Sequence, residues 1–387
     1  MKKEWREVHL RDICEFKYGK NLPGSKRVPG KYNVYGSSSV TGTHNEFLVK
    51  GPGIIVGRKG TVGKVQYSKE DFFPIDTTYF VDIDTEQVNL LFLYYRLPLC
   101  GFEGMNSDAA IPGLNRTAAI NCKINLPPLP TQQKIASILS AYDDLIENNI
   151  KRIELLEEQA QLIYEEWFVR MKFPDHENTL IDEETGLPEG WKVSTIKDLS
   201  EVKGGKRLPK GHELTSEKTS YPYIRVRDLT SGRMNIDEIQ YIHHDTHIKI
   251  KNYIINHTDL YISIAGTVGL VGTVPKILDS ANLTENCAKI TNLISEDIKE
   301  YLHYFLNSEN GQHHISSRTG GASQPKLAIE RIRSIPITVP NDDILSRFHN
   351  SVGVINGFVE NLLIQNQKLK EARDILLPRL MMGVIEV

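Results

Sequence analysis

The stretch TQQKIASILSAYDDLIENNIKRIELLEEQAQLIYEEWFVR, residues 131–170, decides how this chain folds. Pro127, Pro128 and Pro130 precede it, and no Gly or Pro interrupts it. It reads as one helix, roughly 60 Å long at 1.5 Å per residue, with Thr131 placed to cap its N-terminus. Apolar side chains recur at Ile135, Leu139, Tyr142, Ile146, Leu156, Ile163 and Trp167, in steps built from four and three. That is the spacing of a coiled-coil seam. Asn149 occupies one column of the seam, and Asp143, Asp144, Glu147, Glu154, Glu157 and Glu158 make the opposite face acidic. A helix cannot bury such a stripe against itself, so a second helix is required.

The chain supplies it by being written twice. WREVHLRDICEFKYGKNLP, residues 5–23, matches WKVSTIKDLSEVKGGKRLP, residues 191–209, with Trp5/Trp191, Asp12/Asp198, Gly19/Gly205 and Lys20/Lys206 at constant spacing. IIVGRKGTVG, ending at Gly63, matches YISIAGTVG, ending at Gly269. Residues 90–97 match 299–306, and residues 112–170 match 325–383 without a gap, pairing Pro112 with Pro325 and Leu114 with Leu327. The second helix is therefore expected near 342–377, with a seam of Phe348, Val352, Ile355, Val359, Leu362, Leu369 and Leu376 and with Asn366 in a core column. A buried Asn in such a seam is a register device.

The expected architecture is a mixed α/β (α+β) chain with a pseudo-two-fold internal repeat. Two similar globular units, 1–130 and 191–340, are separated by helices at 131–172 and 341–387 that pair as an antiparallel coiled coil. An acidic, Pro- and Gly-punctuated linker spans 173–190. Short β-rich runs at 54–56, 80–83, 223–226 and 261–264 build the units. An antiparallel pair would place one unit at each end of a rod.

Composition bounds the class. Hydrophobic residues make up 40% and charged residues 25%, ordinary for a globular protein. No apolar run approaches a membrane span and no secretory signal is evident. Cys14, Cys100, Cys122 and Cys287 are scattered without a CxxC pair, which reads as reduced thiols in a cytoplasmic protein. The net charge is −3, unevenly spread. Residues 1–130 carry 17 Lys/Arg against 13 Asp/Glu and residues 191–340 carry 19 against 16, whereas residues 131–170 carry 4 against 8. The globular parts are thus mildly basic, which permits phosphate binding without proving it.

With these features in order, PPLPTQQKIASILSAYDDLIENN (127–149), LIYEEWFVRMKFP (162–174), GLPEGWKVSTIKDL (186–199) and LLPRLMMGVIEV (376–387) resemble the specificity subunit of type I restriction–modification systems. The resemblance covers essentially the whole chain. It implies two target-recognition domains, each reading one half of a bipartite site on double-stranded DNA, and helices that set the gap and dock two modification subunits. It further implies that those subunits carry S-adenosylmethionine and methylate adenine, that restriction subunits add ATP- and Mg-dependent translocation and cleavage, and that this chain holds no cofactor of its own. One departure stands out: the second helix opens with NDDILSRFHN where the first has TQQKIASILS.

Candidate contacts follow. In GRKGTVGKV, residues 57–65, the Gly spacing is one too long for a phosphate loop, and Val65 stands where a Mg-binding hydroxyl is needed. A tight glycine turn that brings Arg58, Lys59, Thr61 and Lys64 to phosphate or guanine competes with a purely structural turn. The second copy offers Thr267. Lys20 and Lys206 follow the repeated glycine, and Arg207 follows Lys206. In YIRVR, residues 223–227, strand alternation would put Arg225 and Arg227 on one face beside Asp228, for guanine or for structural ion pairs. Gln324 and Lys326 lie beside Gly320 and Gly321. His243, His244 and His247 have metal-like spacing but lack companion Cys or paired carboxylates, so surface or hydrogen-bonded histidines are the better reading and no metal site is expected. No HExxH, GxSxG or Cys/His signature appears, nor an aromatic-flanked Asn-Pro-Pro. No catalytic residue is assigned. A self-contained methyltransferase or nuclease and a non-DNA-binding coiled-coil adaptor are the competing readings.

Overall fold

Residues 131–169 are helical in the computed structural model, which describes residues 5–105, 113–230, 232–236, 238–321 and 324–387. Pro112 lies outside the described residues. Four helices matter most: α1 (Leu90–Arg96), α2 (Leu129–Tyr164), α3 (Glu296–Asn307) and α4 (Asp342–Met381). A π-helical turn, Glu165–Val169, extends α2. The N-cap expected at Thr131 is not there, because α2 already begins at Leu129. Pro130 fits the first turn, where its missing N–H has no helical partner to lose, and Thr131 N and Gln132 N both donate to Pro128 O, at 2.9 and 3.0 Å. Likewise α4 runs past the expected end at 377 and carries Pro378 inside its last turn.

The chain divides into two units, Met1–Asn149 with Ile364–Val387, and Ile150–Leu363. In the first, strands Cys14–Tyr18, Thr78–Ile83, Gly53–Gly57 and Val65–Ser68 form an antiparallel sheet in that order. GIIVG (Gly53–Gly57) is buried at every position, as β-branched residues in the middle of a sheet should be. A second sheet holds Val40–His44, Tyr32–Tyr35 and Phe72–Pro74, the last pair parallel. The strand Arg6–His9 pairs with Lys123–Leu126.

The second unit repeats this plan. Glu201–Gly204, Cys287–Thr291, Leu260–Ser263 and Val271–Thr273 form the antiparallel sheet. A second sheet again contains one parallel pair, Pro222–Ile224 with Ala281–Leu283, and Lys192–Thr195 pairs with Pro336–Val339. Phe173, at the start of the expected linker, is buried against Trp191 with ring centroids 5.0 Å apart.

Within each unit the long helices pack antiparallel. In the first, Asp143 meets Arg373 and Asn149 Nδ2 donates to Asn366 Oδ1 at 2.9 Å, so residue numbers rise along α2 as they fall along α4. In the second, the Tyr164 and Phe168 rings pack on Phe348 at 6.2 and 4.9 Å. The seam residues Ile135, Leu139, Ile146, Phe348, Val352, Ile355 and Leu362 are buried, while Tyr142, Leu156, Ile163, Trp167, Val359, Leu369 and Leu376 are half-buried. Ile153 and Ala160, both fully buried, complete the α2 columns that the spacing had left open. The acidic face is less free than its sequence implies. Asp143 accepts from Tyr95 Oη as well as Arg373, Asp144 and Glu147 take Lys69 Nζ at 2.9 and 2.6 Å, and Glu157 takes Arg233 at 2.6 Å.

Candidate nucleic-acid interface

Both units carry the same turn, held by the same backbone bonds. Gly57 N donates to Lys64 O and Gly63 N to Gly57 O, each at 2.8 Å; in the second unit Ser263 N donates to Leu270 O and Gly269 N to Ser263 O, at 2.9 and 3.0 Å. Gly63 and Gly269 sit at φ +78° and +94°, where a side chain is strained. A third segment latches onto each turn: Leu114 N donates to Arg58 O at 2.8 Å, and Leu327 N to Ile264 O at 2.9 Å. Beside the turn, a Cβ on Gly19 would lie 2.1 Å from Ile75 O, and one on Gly205 would lie 2.0 Å from Thr284 O. The Gly-Lys repeat is therefore a backbone necessity that fixes where Lys20 and Lys206 leave the surface.

On this frame the first unit brings together residues far apart in sequence. The Arg58 guanidinium lies over the Tyr18 ring at 5.1 Å and over Tyr79 at 6.0 Å, and Arg116 approaches Tyr18 at 6.0 Å, all within cation–π range. Arg116 is held by Phe16 O at 2.7 Å and Glu15 at 3.0 Å. Tyr79 donates to Leu114 O at 3.2 Å, and burial, then the Tyr18 hydroxyl, push its phenol up to about 12, against the opposing pull of Arg58 and Arg116. Tyr18 itself is 54% exposed. Among the described residues Arg58 has no carboxylate partner, and Lys20, Lys59, Thr61 and Lys64 are exposed around it without an ion pair. Tyr18, Tyr79 and Arg116 were not singled out from sequence; only the alternation of Phe16 and Tyr18 along one strand hinted at them.

The second unit distributes its candidates differently. Lys206 Nζ lies 5.5 Å over the Tyr253 ring, and Arg207 pairs with Glu285 at 2.6 Å while staying largely exposed. Thr267, Gln324 and Lys326 are exposed, and Lys326 exchanges two backbone bonds with Gly320 and bridges to Ala265 beside the turn. The strand expected over 223–227 is not formed, since it ends at Ile224 and a 3-10 turn, Val226–Asp228, follows. Arg225 therefore does not share a strand face with Arg227. Its guanidinium is folded back onto Asp228 at 2.9 and 2.7 Å, onto Gln240, and onto Glu238 O at 2.8 Å, leaving its side chain 14% exposed. Arg227 is exposed and pairs with Glu238 at 2.8 Å.

The histidines are built into the unit. His247 stacks on Tyr221 at 4.2 Å and bonds Asn282 at 2.8 Å, and His244 bonds the Tyr221 hydroxyl at 2.7 Å. Among the described residues no group of three or more His, Cys, Asp or Glu is arranged to hold a metal ion, and no helix is long and apolar enough to cross a membrane.

The chain thus carries a duplicated β-unit with a repeated glycine turn, each copy followed by a long helix. The family model for the type I restriction modification DNA specificity domain matches residues 2–158 and again 188–356, and the chain belongs to that family. Over 300 residues it is 28% identical to the type I restriction enzyme MjaIX specificity subunit of Methanocaldococcus jannaschii, covering 73% of this chain and 65%, just under two thirds, of that one. Over 402 residues it is 22% identical to the MjaVIII specificity subunit of the same organism, covering 99% and 93%. The crystal structure of the type I restriction–modification S subunit from M. genitalium shares its fold, with a TM-score of 0.56 at 18% identity over 97% of this chain and 96% of that one.

Proposed function

We propose that this chain is the DNA-reading, non-catalytic subunit of a type I restriction–modification enzyme, with residues 1–130 and 191–340 each reading one half of a bipartite site. The observation that carries this is the Arg58 guanidinium, stacked on exposed Tyr18 and, among the described residues, without a carboxylate partner, at the edge of a turn that the second unit repeats. An Arg so placed keeps its fork of donors for a guanine edge or a phosphate. Lys20, Lys59, Lys64, Lys206, Arg207 and Lys326 supply phosphate contacts around the two turns, with Thr61, Thr267 and Gln324 as polar readers and Arg227 a lesser candidate. Arg225, with its donors engaged inside the unit, positions the loop and does not read.

The helices offer the second surface. Ile138, Leu145, Ile364 and Ile375 in the first unit, and Leu155, Leu162, Val354 and Phe358 in the second, are exposed apolar residues on helices whose seam is already filled. Such a stripe fits helices of two modification subunits, which would bring S-adenosylmethionine, while restriction subunits bring ATP and Mg. The helices themselves set the unread gap.

The test is binding and methylation with the partner subunits present. Affinity should fall steeply with salt, as counterion release requires, and modified adenines should map to two half-sites separated by a constant gap. Deleting about one heptad, roughly 10 Å of helix, from each long helix should shorten the gap and leave both half-sites intact. Altered half-sites with an unchanged gap would refute the spacer role. Tight S-adenosylmethionine binding by this chain alone would favour a self-contained enzyme, and no sequence-dependent DNA retention would favour an adaptor.

A further inference from the structure

Helices α1 and α3 occupy matching places in the two repeats, yet one face of each is chemically opposite. Leu90, Leu91 and Tyr94 of α1 correspond to Lys299, Glu300 and His303 of α3. In the first unit this place is plugged. Tyr94 packs on Tyr67 with centroids 5.3 Å apart, Tyr95 donates to Asp143, and the partly buried Arg373 pairs with the same carboxylate. The repeat puts Thr273 where Tyr67 stands, Ala160 where Arg373 stands and Asn356 where Asp143 stands. Two large side chains, Tyr67 and Arg373, are thus replaced by smaller ones and the Asp143 charge by an amide, and the second unit has a cleft of about 720 Å³ at that place.

The cleft combines buried polar groups, Lys299 and His303, with half-buried Glu157, Glu300 and Glu360 and exposed Glu158, Glu296 and Lys276 at its rim. Its lining includes five carboxylates, on Glu157, Glu158, Glu296, Glu300 and Glu360, against the three cations Arg233, Lys276 and Lys299. Those cations are already engaged. Arg233 lies 2.6 Å from Glu157, Lys299 Nζ donates to His257 O at 3.0 Å and to Glu296 at 3.4 Å, and Lys276 is 3.8 Å from Glu360. Among the described residues Glu300 accepts from the Asn356 amide, at 2.7 Å, and burial raises its carboxyl above the usual range against the pull of Lys299 and His349. His303 is 9% exposed, and among the described residues its buried Nδ1 has no hydrogen-bond partner. Burial holds that imidazole down to about 4, so it is neutral at physiological pH. Val274, Pro275, Val359 and Leu363 provide apolar wall. An excess of carboxylates, an unfilled imidazole nitrogen and a hydrocarbon wall suit a ligand with N–H donors, positive charge and a short alkyl chain.

We propose that this cleft of the second unit binds a small organic cation of the alkyl-diamine or polyamine class, with Glu300 and His303 facing its nitrogen. The first unit, with Tyr67, Tyr94 and Arg373 in the corresponding place, does not. This site is independent of the DNA-reading role, and its test uses no DNA. Putrescine, spermidine and agmatine are titrated into the full chain by calorimetry, with Mg²⁺ as the arm for plain charge screening and Nα-acetyl-arginine amide as the arm for an inserted protein side chain. The expected result is saturable binding of a diamine or polyamine at one site per chain. It should weaken at least ten-fold in Glu300→Gln and vanish in the Thr273→Tyr/His303→Tyr double variant, which copies the plug of the first unit. Glu300→Gln changes no volume, and circular dichroism checks that both variants are folded. Absence of saturable binding above the Mg²⁺ arm, unchanged affinity in Glu300→Gln, or tighter binding of the arginine amide than of any free amine would each overturn the proposal.

Discussion

The two repeated turns share a backbone and the run Gly-Thr-Val-Gly, residues 60–63 and 266–269, but their side-chain surroundings differ. Around Gly63 stand Arg58, Tyr18 and Arg116; at the corresponding places around Gly269 stand Ile264, Gly204 and Ile329. A Cβ built on Gly204 would meet Ile329 Cδ1 at 3.3 Å, so the room that Tyr18 occupies in the first unit is closed by an isoleucine in the second. What recurs without change is the set of residues that the main chain itself demands, namely the glycines at positive φ and those pressed against a carbonyl. Exposed Lys20/Lys206 and Thr61/Thr267 recur as well, whereas Arg58/Ile264, Tyr18/Gly204 and Arg116/Ile329 differ. One frame therefore presents a cationic, aromatic edge at Arg58 in one copy and an apolar edge at Ile264 and Ile329 in the other.

Four experiments test this contrast. The largest effect is expected for Asp228→Ala. It strands the largely buried Arg225 guanidinium and should destabilise the second unit by about 3–5 kcal/mol in urea unfolding; a loss under 1 kcal/mol would return Arg225 to the surface as a candidate reader. Arg58→Ala should cost about 1–3 kcal/mol of discrimination at one half-site and leave the other unaffected, read by competition among oligonucleotides; equal weakening on all DNA would make Arg58 a phosphate contact. Asn149→Leu leaves Asn366 without its partner and should cost about 1–3 kcal/mol in thermal unfolding, whereas Asn149→Leu with Asn366→Leu should recover most of the loss. A double variant as unstable as the single one would mean that the pair does more than fix register. The smallest effect belongs to Lys206→Gln, which should lower the slope of log affinity against log salt by about 0.9 with base preference unchanged.

The Asn pair itself differs between the units. The repeat places Leu362 at the position of Asn149 and Ile153 at that of Asn366, so the second unit has two buried apolar residues where the first has a hydrogen bond. Sequence periodicity exposes most of the seam, because alternating steps of four and three over many turns have no other cheap explanation. It loses Ile153 and Ala160, the first because Asn149 looks like an interruption, the second because a small side chain carries little hydrophobic signal. The repeat is equally legible and carries the domain plan with it. The site is legible only in part. Arg58 lies inside a conspicuous motif, but its stacking on Tyr18 joins strands 40 residues apart, and no spacing rule reports that. Arg225 misleads because its alternation with Arg227 mimics a strand, while Asp228, three residues on, bonds the Arg225 backbone N–H at 2.8 Å and ends the strand. The cleft beside α3 is invisible until the copies are laid side by side in three dimensions, because it is made by what is missing.

Gln132 carries a consequence of another kind. Its fully buried amide donates to Gln87 O at 3.0 Å and to Pro127 O at 2.8 Å, and accepts from Asn89 N at 2.8 Å. The start of α2 is therefore keyed in angle as well as in place. One residue inserted beyond it would rotate the rest of the helix by about 100° and turn Ile135, Leu139 and Ile146 away from α4. A rod keyed in this way cannot be lengthened by degrees. Its phase admits whole heptads or near multiples, so a lineage that retunes its spacer must do so in discrete notches.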